Sequence, residues 1–384
     1  MKDYRRVFWW GTFLNLICLS GASMFVLTGR YLAEQGLQPW EIGTAEGGYW
    51  VGAVLSQPWL AHRVDRHGRR PYILRGAFLI GLTALAFLVV PVALIPMVAL
   101  RGLQGFVVST YFTALFTWIA DQAPPGRLAQ AFGLFGISGL LAGAIGPVGG
   151  ELLVDRTSFQ AMFSLSAGLS LTAAAGFLTL PEVHRSPHET QDDSRFFQLL
   201  RSKLMLAVTL GSLGFGYAVG SLYGFAAPFA AKEQLTGVGL MFACYTFSSV
   251  LIRLAMGSAS DRHGPQSIIP SALLLQAGGM GLFALLGRGE SWILVGTGLL
   301  AGAGHGILYP ALSALAVQRL GAAVRGTALA LITAWIDVGS FAGSVLSGVL
   351  AQNLGYPLMF CGVALIVMTS GLVFPAFDRR ATRP

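Results

Sequence analysis

Apolar runs about twenty residues long follow one another along nearly the whole chain, each closed by a short stretch rich in charge, proline or glycine. A helix crossing a bilayer needs about 20 such residues. By that measure spans are predicted at 7–29, 41–61, 72–91, 95–119, 128–150, 160–180, 203–228, 239–257, 268–287, 291–316, 326–350 and 357–375. Six precede and six follow one long polar stretch, Pro181 to Lys203, which reads as a linker. Within it Phe196, Phe197, Leu199 and Leu200 beside Arg195, Arg201 and Lys203 fit a short amphipathic helix at the membrane surface. The tetrapeptide Asp65-Arg66-His67-Gly68 recurs as Asp261-Arg262-His263-Gly264, just over half the chain away and again between two apolar runs. A repeat so placed predicts two matching halves of a membrane protein.

Composition narrows the class. Charged residues make up 11% and hydrophobic ones 54%, against roughly 25% and 45–50% in soluble domains. The 50 glycines fit helices packed closely through small residues. A net charge of +8 would suit a nucleic-acid partner, but the basic residues alternate by side. Lys2, Arg5, Arg6, the cluster from Arg63 to Arg70, Arg127, the linker, Arg262, Arg319, Arg325 and Arg379 to Arg383 fall on one side; the other holds Arg30, Arg156, Lys232 and Arg288. The positive-inside rule then makes both termini cytoplasmic, as an even number of spans requires. Val7 to Gly29 is longer than a signal-peptide core and shows no convincing cleavage site before Arg30, so it reads as a retained span. Cys18, Cys244 and Cys361 all lie inside spans in no metal spacing, and neither disulfides nor metal clusters are expected.

The loop after the second span, Ala61-His62-Arg63-Val64-Asp65-Arg66-His67-Gly68-Arg69-Arg70, resembles the G-x-x-x-D-R-x-G-R-R signature of the major facilitator superfamily, with Ala61 at its opening glycine. The later copy has Gly257 and Asp261 but Pro265 in place of the arginine, so it is degenerate. Physically, Asp65 and Arg69 are four apart and can pair on one helical face, with Asp121 at the end of the fourth span as a further neighbour. A pair made in one arrangement of the helices and broken in another biases a two-state equilibrium. The resemblance implies that Asp65, Arg66, Gly68, Arg69 and Asp121, with Asp261 as a weaker counterpart, hold the cytoplasmic side closed. The plainer reading is a basic loop that sets topology.

Two further stretches carry the same resemblance. Arg101-Gly102-Leu103-Gln104-Gly105 is similar to the family's R-x-x-Q-G pattern and puts a fixed charge inside the fourth span. Such a charge is costly, about 2.5–3.5 kcal/mol on insertion scales, and normally faces a cavity or partner. The resemblance implies that Arg101 assists proton coupling or holds an anionic group; otherwise it snorkels to the outer interface. In the fifth span Gly146, Pro147, Gly149 and Gly150 resemble the G-P-x-x-G-G core associated with proton-driven antiporters, with one residue rather than two between Pro147 and the glycine pair, and the resemblance implies export rather than uptake.

Proton coupling would need titratable groups within spans. Asp337 stands in the middle of the eleventh span, His305 in the tenth and Glu46 near the outer end of the second. An unpaired carboxylate in lipid is too costly, so each is expected to face the interior, where it either exchanges protons or makes a structural hydrogen bond. Asn15, Gln104, Tyr111, Tyr217, Tyr309 and Trp335 are candidates for a cavity wall that grips an amphipathic molecule by apolar contact and a few polar anchors. No nucleotide-binding fingerprint occurs in a plausible context.

The expected fold is all-α and integral to the membrane, with twelve helices in two pseudo-symmetric six-helix bundles, 1–180 and 203–384, joined by the linker 181–202. The expected function is proton-driven export of a small organic or amphipathic molecule by alternating access, with no enzymatic activity and no cofactor. Expected partners are the substrate, protons and the bilayer of the cell's inner membrane, not nucleic acid, with the chain a monomer. Alternatives are proton-coupled uptake of a small organic anion with Arg101 as countercharge, flipping of a lipid or lipid conjugate, and a sensor that transports nothing.

Overall fold

The computed structural model describes residues 2–122, 128–182, 203–288, 290–320 and 325–382; the side chains of 2–5, 58–67, 128–130, 133, 203, 256–263, 287–288, 325–327 and 380–382 lie outside that description. Every predicted span falls on a helix. The first bundle comprises α1 (Lys2–Ser23, carried on through a 3-10 turn and Thr28–Glu34), α2 (Pro39–His67), α3 (Arg70–Ala86), α4 (Leu94–Gln122), α5 (Leu128–Arg156) and α6 (Phe159–Phe177). The second comprises α7 (Leu206–Lys232), α8 (Val238–His263), α9 (Pro265–Phe283) and α10 (Trp292–Leu320), then Arg325–Thr382. That last stretch reverses at Gly355, where φ is 81°, into α11 (325–354) and α12 (356–382). Eight stretches are long and apolar enough to cross a membrane by composition alone, the last with length for two passes. The expected amphipathic helix and most of the linker lie outside the described residues.

Local chemistry fixes the helix starts. Pro39 opens α2, and the Gln38 amide donates to the Glu41 carboxylate at 2.8 Å. Ser158 caps α6 by accepting from the Ala161 amide at 3.2 Å. The repeated tetrapeptide makes the same turn twice: Gly68 has φ 84° and Gly264 φ 78°, backbone that a side chain resists. Large apolar side chains such as Val89, Ile95 and Leu254 are about 80% exposed on the outside of the bundles. In water such a belt would be unfavourable; against lipid tails it costs nothing.

The packing repeats with the sequence. In the first half α2 lies along α4, and in the second α8 lies along α10. Between halves α2 packs on α11 and α5 on α8, two contacts that exchange when the halves are swapped, while the end of α1 meets α7. These interfaces are tightest on the side away from the termini. There Gly43 faces Ser344 and Gly348, Gly239 faces Pro147 and Val148, and Gly29 faces Gly224 and Pro228, all so close that a Cβ would collide. On the side of the termini no hydrogen bond or ion pair between described residues crosses from one half to the other.

Candidate functional site

Behind that seal, between the halves, lies a cavity of about 230 Å³. Its walls come from α1 (Ser23, Phe25, Val26), α2 (Glu46, Tyr49, Trp50), α4 (Arg101, Gln104, Val108), α5 (Gly139, Ala142, Gly143, Pro147), Tyr223 of α7 and Phe242 of α8. Aromatic and aliphatic groups predominate, with one charged cluster among them.

That cluster is Glu46 with Arg101. α2 and α4 approach through Gly52 and Gly102, which brings the Arg101 Nη2 onto the Glu46 carboxylate, both side chains being buried. Arg101 Nη1 donates to Gln104 Oε1 at 2.5 Å, and the guanidinium stands 4.9 Å from the centre of the Tyr49 ring, a cation–π distance. Glu46 Oε1 and Arg101 Nε find no hydrogen-bond partner among the described residues. Both residues border the cavity.

Asp337 also meets a partner from the other half: Gln57 Nε2 of α2 donates to its Oδ2 at 2.9 Å. Across the seal, Glu151 of α5 accepts from the amides of Gly237, Val238 and Gly239 at 2.8, 3.0 and 2.6 Å. A carboxylate of the first half thus occupies the helix N-terminus of α8, where the backbone dipole favours negative charge. At the far end of α1, Arg30 bonds both Glu34 and Asp155, at 2.8 and 2.9 Å.

Of the expected gate cluster, Arg69 and Asp121 come together, Nε to Oδ2 at 3.2 Å, in a nearly buried pair. The side chains of Asp65, Arg66 and Asp261 lie outside the described residues. Gly68 turns against Glu182, whose Oε1 accepts from the Arg69 amide at 3.0 Å and so caps the start of α3. Trp118 Nε1 donates to the Pro181 carbonyl at 3.2 Å, tying the end of the first bundle to α4. In the fifth-span motif Gly146 packs on Ser20 and Ser23, Gly150 on Met24 and Leu27, and Pro147 on Gly239 of the other half.

Gln104 lines the cavity, whereas Asn15 and Tyr111 lie elsewhere. The Tyr111 hydroxyl donates to Asn15 Oδ1 at 3.0 Å and Asn15 Nδ2 to Ser138 at 2.8 Å, all buried inside the first bundle. Tyr217 is buried where α7 meets Gly343 of α11, and Trp335 is half-buried; neither borders the cavity. Tyr309 is 41% exposed. His305 Nδ1 shares a 2.6 Å hydrogen bond with the Tyr245 hydroxyl, and its ring stands 4.9 Å from that of Phe215.

Four residues escaped the sequence reading. Arg253 is another arginine inside a span, as Arg75 is, and was recognisable by the same signal that marked Arg101. Gln57, Glu151 and Glu182 gave no such signal, because a glutamine in a span or a glutamate at its end is ordinary until its partner on another helix is known.

The described residues are all helical, with a repeated six-helix plan and a cavity between the repeats, the build of a multi-pass membrane transporter. The family model of the Major Facilitator Superfamily matches residues 8–235 and 208–384, and the chain belongs to that family. It is 24% identical over 397 residues to a multidrug resistance protein MdtG of Serratia proteamaculans, covering 98% of this chain and 94% of that one. It is 23% identical over 386 residues to an uncharacterized MFS-type transporter of Methanocaldococcus jannaschii, covering 96% of each. Among solved structures it superposes on the nucleoside transporter NupG with a TM-score of 0.80 at 15% identity, covering 97% of this chain and 98% of that one. A POT family transporter in complex with 5-aminolevulinic acid gives 0.79, also at 15%, covering 98% and 96%. These proteins are transporters, not enzymes, and the structural likeness speaks for the fold alone.

Proposed function

We propose that this transporter exports a small organic or amphipathic molecule in exchange for protons. The observation that carries the reading is the hydrogen bond from Gln57 to Asp337. It joins the halves within the spans, and its acceptor is a carboxylate whose charge a proton removes. Protonation weakens a charge-assisted bond, so binding a proton alters how firmly α2 holds α11 and couples protonation to rocking of the halves. Resemblance to the multidrug resistance protein MdtG and the fifth-span motif both favour export.

In this reading 1–180 and 203–384 move as two units about the linker 181–202, in a monomer of the cytoplasmic membrane. The termini are cytoplasmic, as the basic loops imply, so the sealed side is external and this arrangement faces inward. Substrate enters from the cytoplasm and lies against Trp50, Tyr49, Tyr223 and Phe242, with the Glu46–Arg101 pair and Gln104 as polar anchors. Arg101 sets the electrostatics of the cavity, and His305 with its Tyr245 partner is a second proton-exchanging group. The Arg69–Asp121 pair, with Asp65, belongs to the gate that closes on the cytoplasmic side when the external seal opens.

The test is transport in proteoliposomes under an imposed pH gradient, alongside substrate–substrate exchange without one. Asp337→Asn should lose at least tenfold of the gradient-driven flux while keeping the exchange. Gradient-driven flux equal to wild type would remove Asp337 from the mechanism.

A further inference from the structure

The second half holds a charge that neither the gate nor the Glu46–Arg101 cluster uses. Arg253 lies near the middle of α8, ten residues from its end at His263 and fifteen from its start at Val238. It is half-buried, and no carboxylate among the described residues pairs with it; Tyr245, Tyr309 and His305 are the titratable groups near enough to interact with its charge. Arg101 differs, because Glu46 already meets its charge.

One guanidinium nitrogen has a structural task. Pro310 lacks an N–H, so the carbonyl four residues earlier in α10, that of Gly306, has no donor within its own helix. Arg253 Nε supplies one at 3.2 Å. The four N–H groups on its two Nη atoms remain.

Their direction follows from helical phase. Phe242 of α8 lines the cavity, and Thr246 faces Gly143 of α5 across the interface, its Oγ1 3.6 Å from where a Cβ would stand. Arg253 follows Thr246 by seven residues, so it shares that face about two turns further towards the termini, on the side where no described hydrogen bond or ion pair joins the halves. Tyr245 and Tyr309 lie within reach of its charge; the Tyr245 hydroxyl is bonded to His305, and its ring stands 6.2 and 6.5 Å from those of Phe242 and Tyr223, which line the cavity.

We infer that Arg253, next to Tyr245 and Tyr309, forms an anion-binding subsite on the second half, and that the preferred substrate is an organic anion whose apolar body extends from Arg253 along α8 towards the cavity. This deepens the transport reading and rests on the cavity being the substrate path. A planar carboxylate suits two Nη donors in a bidentate geometry, and an uncompensated cation in a span attracts an anion more strongly than water-exposed arginine does.

The experiment measures binding to the purified, detergent-solubilised protein by isothermal titration calorimetry, without a proton gradient. The probes share one ring system and differ in charge: 2-naphthoate, 2-naphthamide and 2-naphthylmethylammonium. Wild type should bind naphthoate at least tenfold more tightly than naphthamide, and the ammonium most weakly. Arg253→Gln should abolish the naphthoate preference without changing naphthamide affinity, and Arg253→Lys should keep a reduced preference. Because Arg253→Gln disturbs the bond to Gly306, the decisive variant is Arg253→Gln with Pro310→Ala, in which α10 regains its own donor. A naphthoate preference absent from wild type, or surviving in that double variant, overturns the inference. Proton-driven flux of naphthamide by wild type equal to that of naphthoate would also overturn it while leaving proton-coupled export standing; loss of coupling in Asp337→Asn with naphthoate binding intact identifies the two as separate.

Discussion

Inside a span every charge needs a partner, and Glu46 and Arg101 show how much of a partner is legible. Each stands out in the sequence as a charge within an apolar run. Their pairing does not, because they are 55 residues apart on different helices. Breaking a buried pair by removing one member costs about 3–5 kcal/mol in soluble cores. Glu46→Gln is therefore expected to lower the melting temperature of the purified protein by several degrees, and Glu46→Gln with Arg101→Gln to recover much of that loss. Equal melting of Glu46→Gln and wild type would make the pair a purely functional contact. Glu151 is the reverse case, an ordinary acid at the end of a span whose three amide partners became visible only in the fold. Hydrogen bonds to charged groups contribute about 1.5–3 kcal/mol each, and about 1.4 kcal/mol is a tenfold change in an equilibrium. Glu151→Gln should thus raise the rate at which an impermeant maleimide reaches a Ser23→Cys reporter from the sealed side, in a background free of other cysteines, by about tenfold. An unchanged rate would mean the cap does not hold the seal.

At the level of elements the apolar runs located the helices but not their ends. α2 continues to His67 and α4 to Gln122, past the predicted 61 and 119, whereas α3 stops at Ala86 and α6 at Phe177, short of 91 and 180. Hydropathy marks the part of a helix facing lipid, while backbone hydrogen bonding runs on into the headgroup region or stops early at a tight turn. The turns themselves were legible as a repeat, and their common backbone conformation explains the glycine in both copies. Their surroundings differ. A Cβ on Gly68 would meet the Glu182 carboxylate that caps α3, whereas one on Gly264 would meet the flexible end of Gln266. Both alanine variants carry backbone strain of about 1–3 kcal/mol, but Gly68→Ala should lower the midpoint of thermal unfolding clearly more than Gly264→Ala. Equal shifts would show that Glu182 yields freely.

For the whole molecule, the duplication in sequence foretold two halves, and the family membership rests on the family-model match along both. What the duplication did not foretell is which side is shut, since the seal rests on interface contacts far apart in the chain. The exchange of α2·α11 with α5·α8 makes a symmetric prediction. A wedge in either contact, Gly43→Leu or Gly239→Leu, should part the sealed ends. Spin labels at Gln35→Cys and Gln352→Cys, on opposite halves, should then report a longer distance in both variants. A distance that stays fixed in folded protein would mean that the seal lies elsewhere. Glu182 has one more consequence. It sits where the first bundle gives way to the linker, yet it holds the backbone at the start of α3, next to Arg69 and its partner Asp121. Glu182 therefore ties the end of the first bundle to the corner for which a gating role is proposed above. Two separately expressed halves should reassemble working protein when the cut falls after Glu182, and leave a slack lock when it falls before.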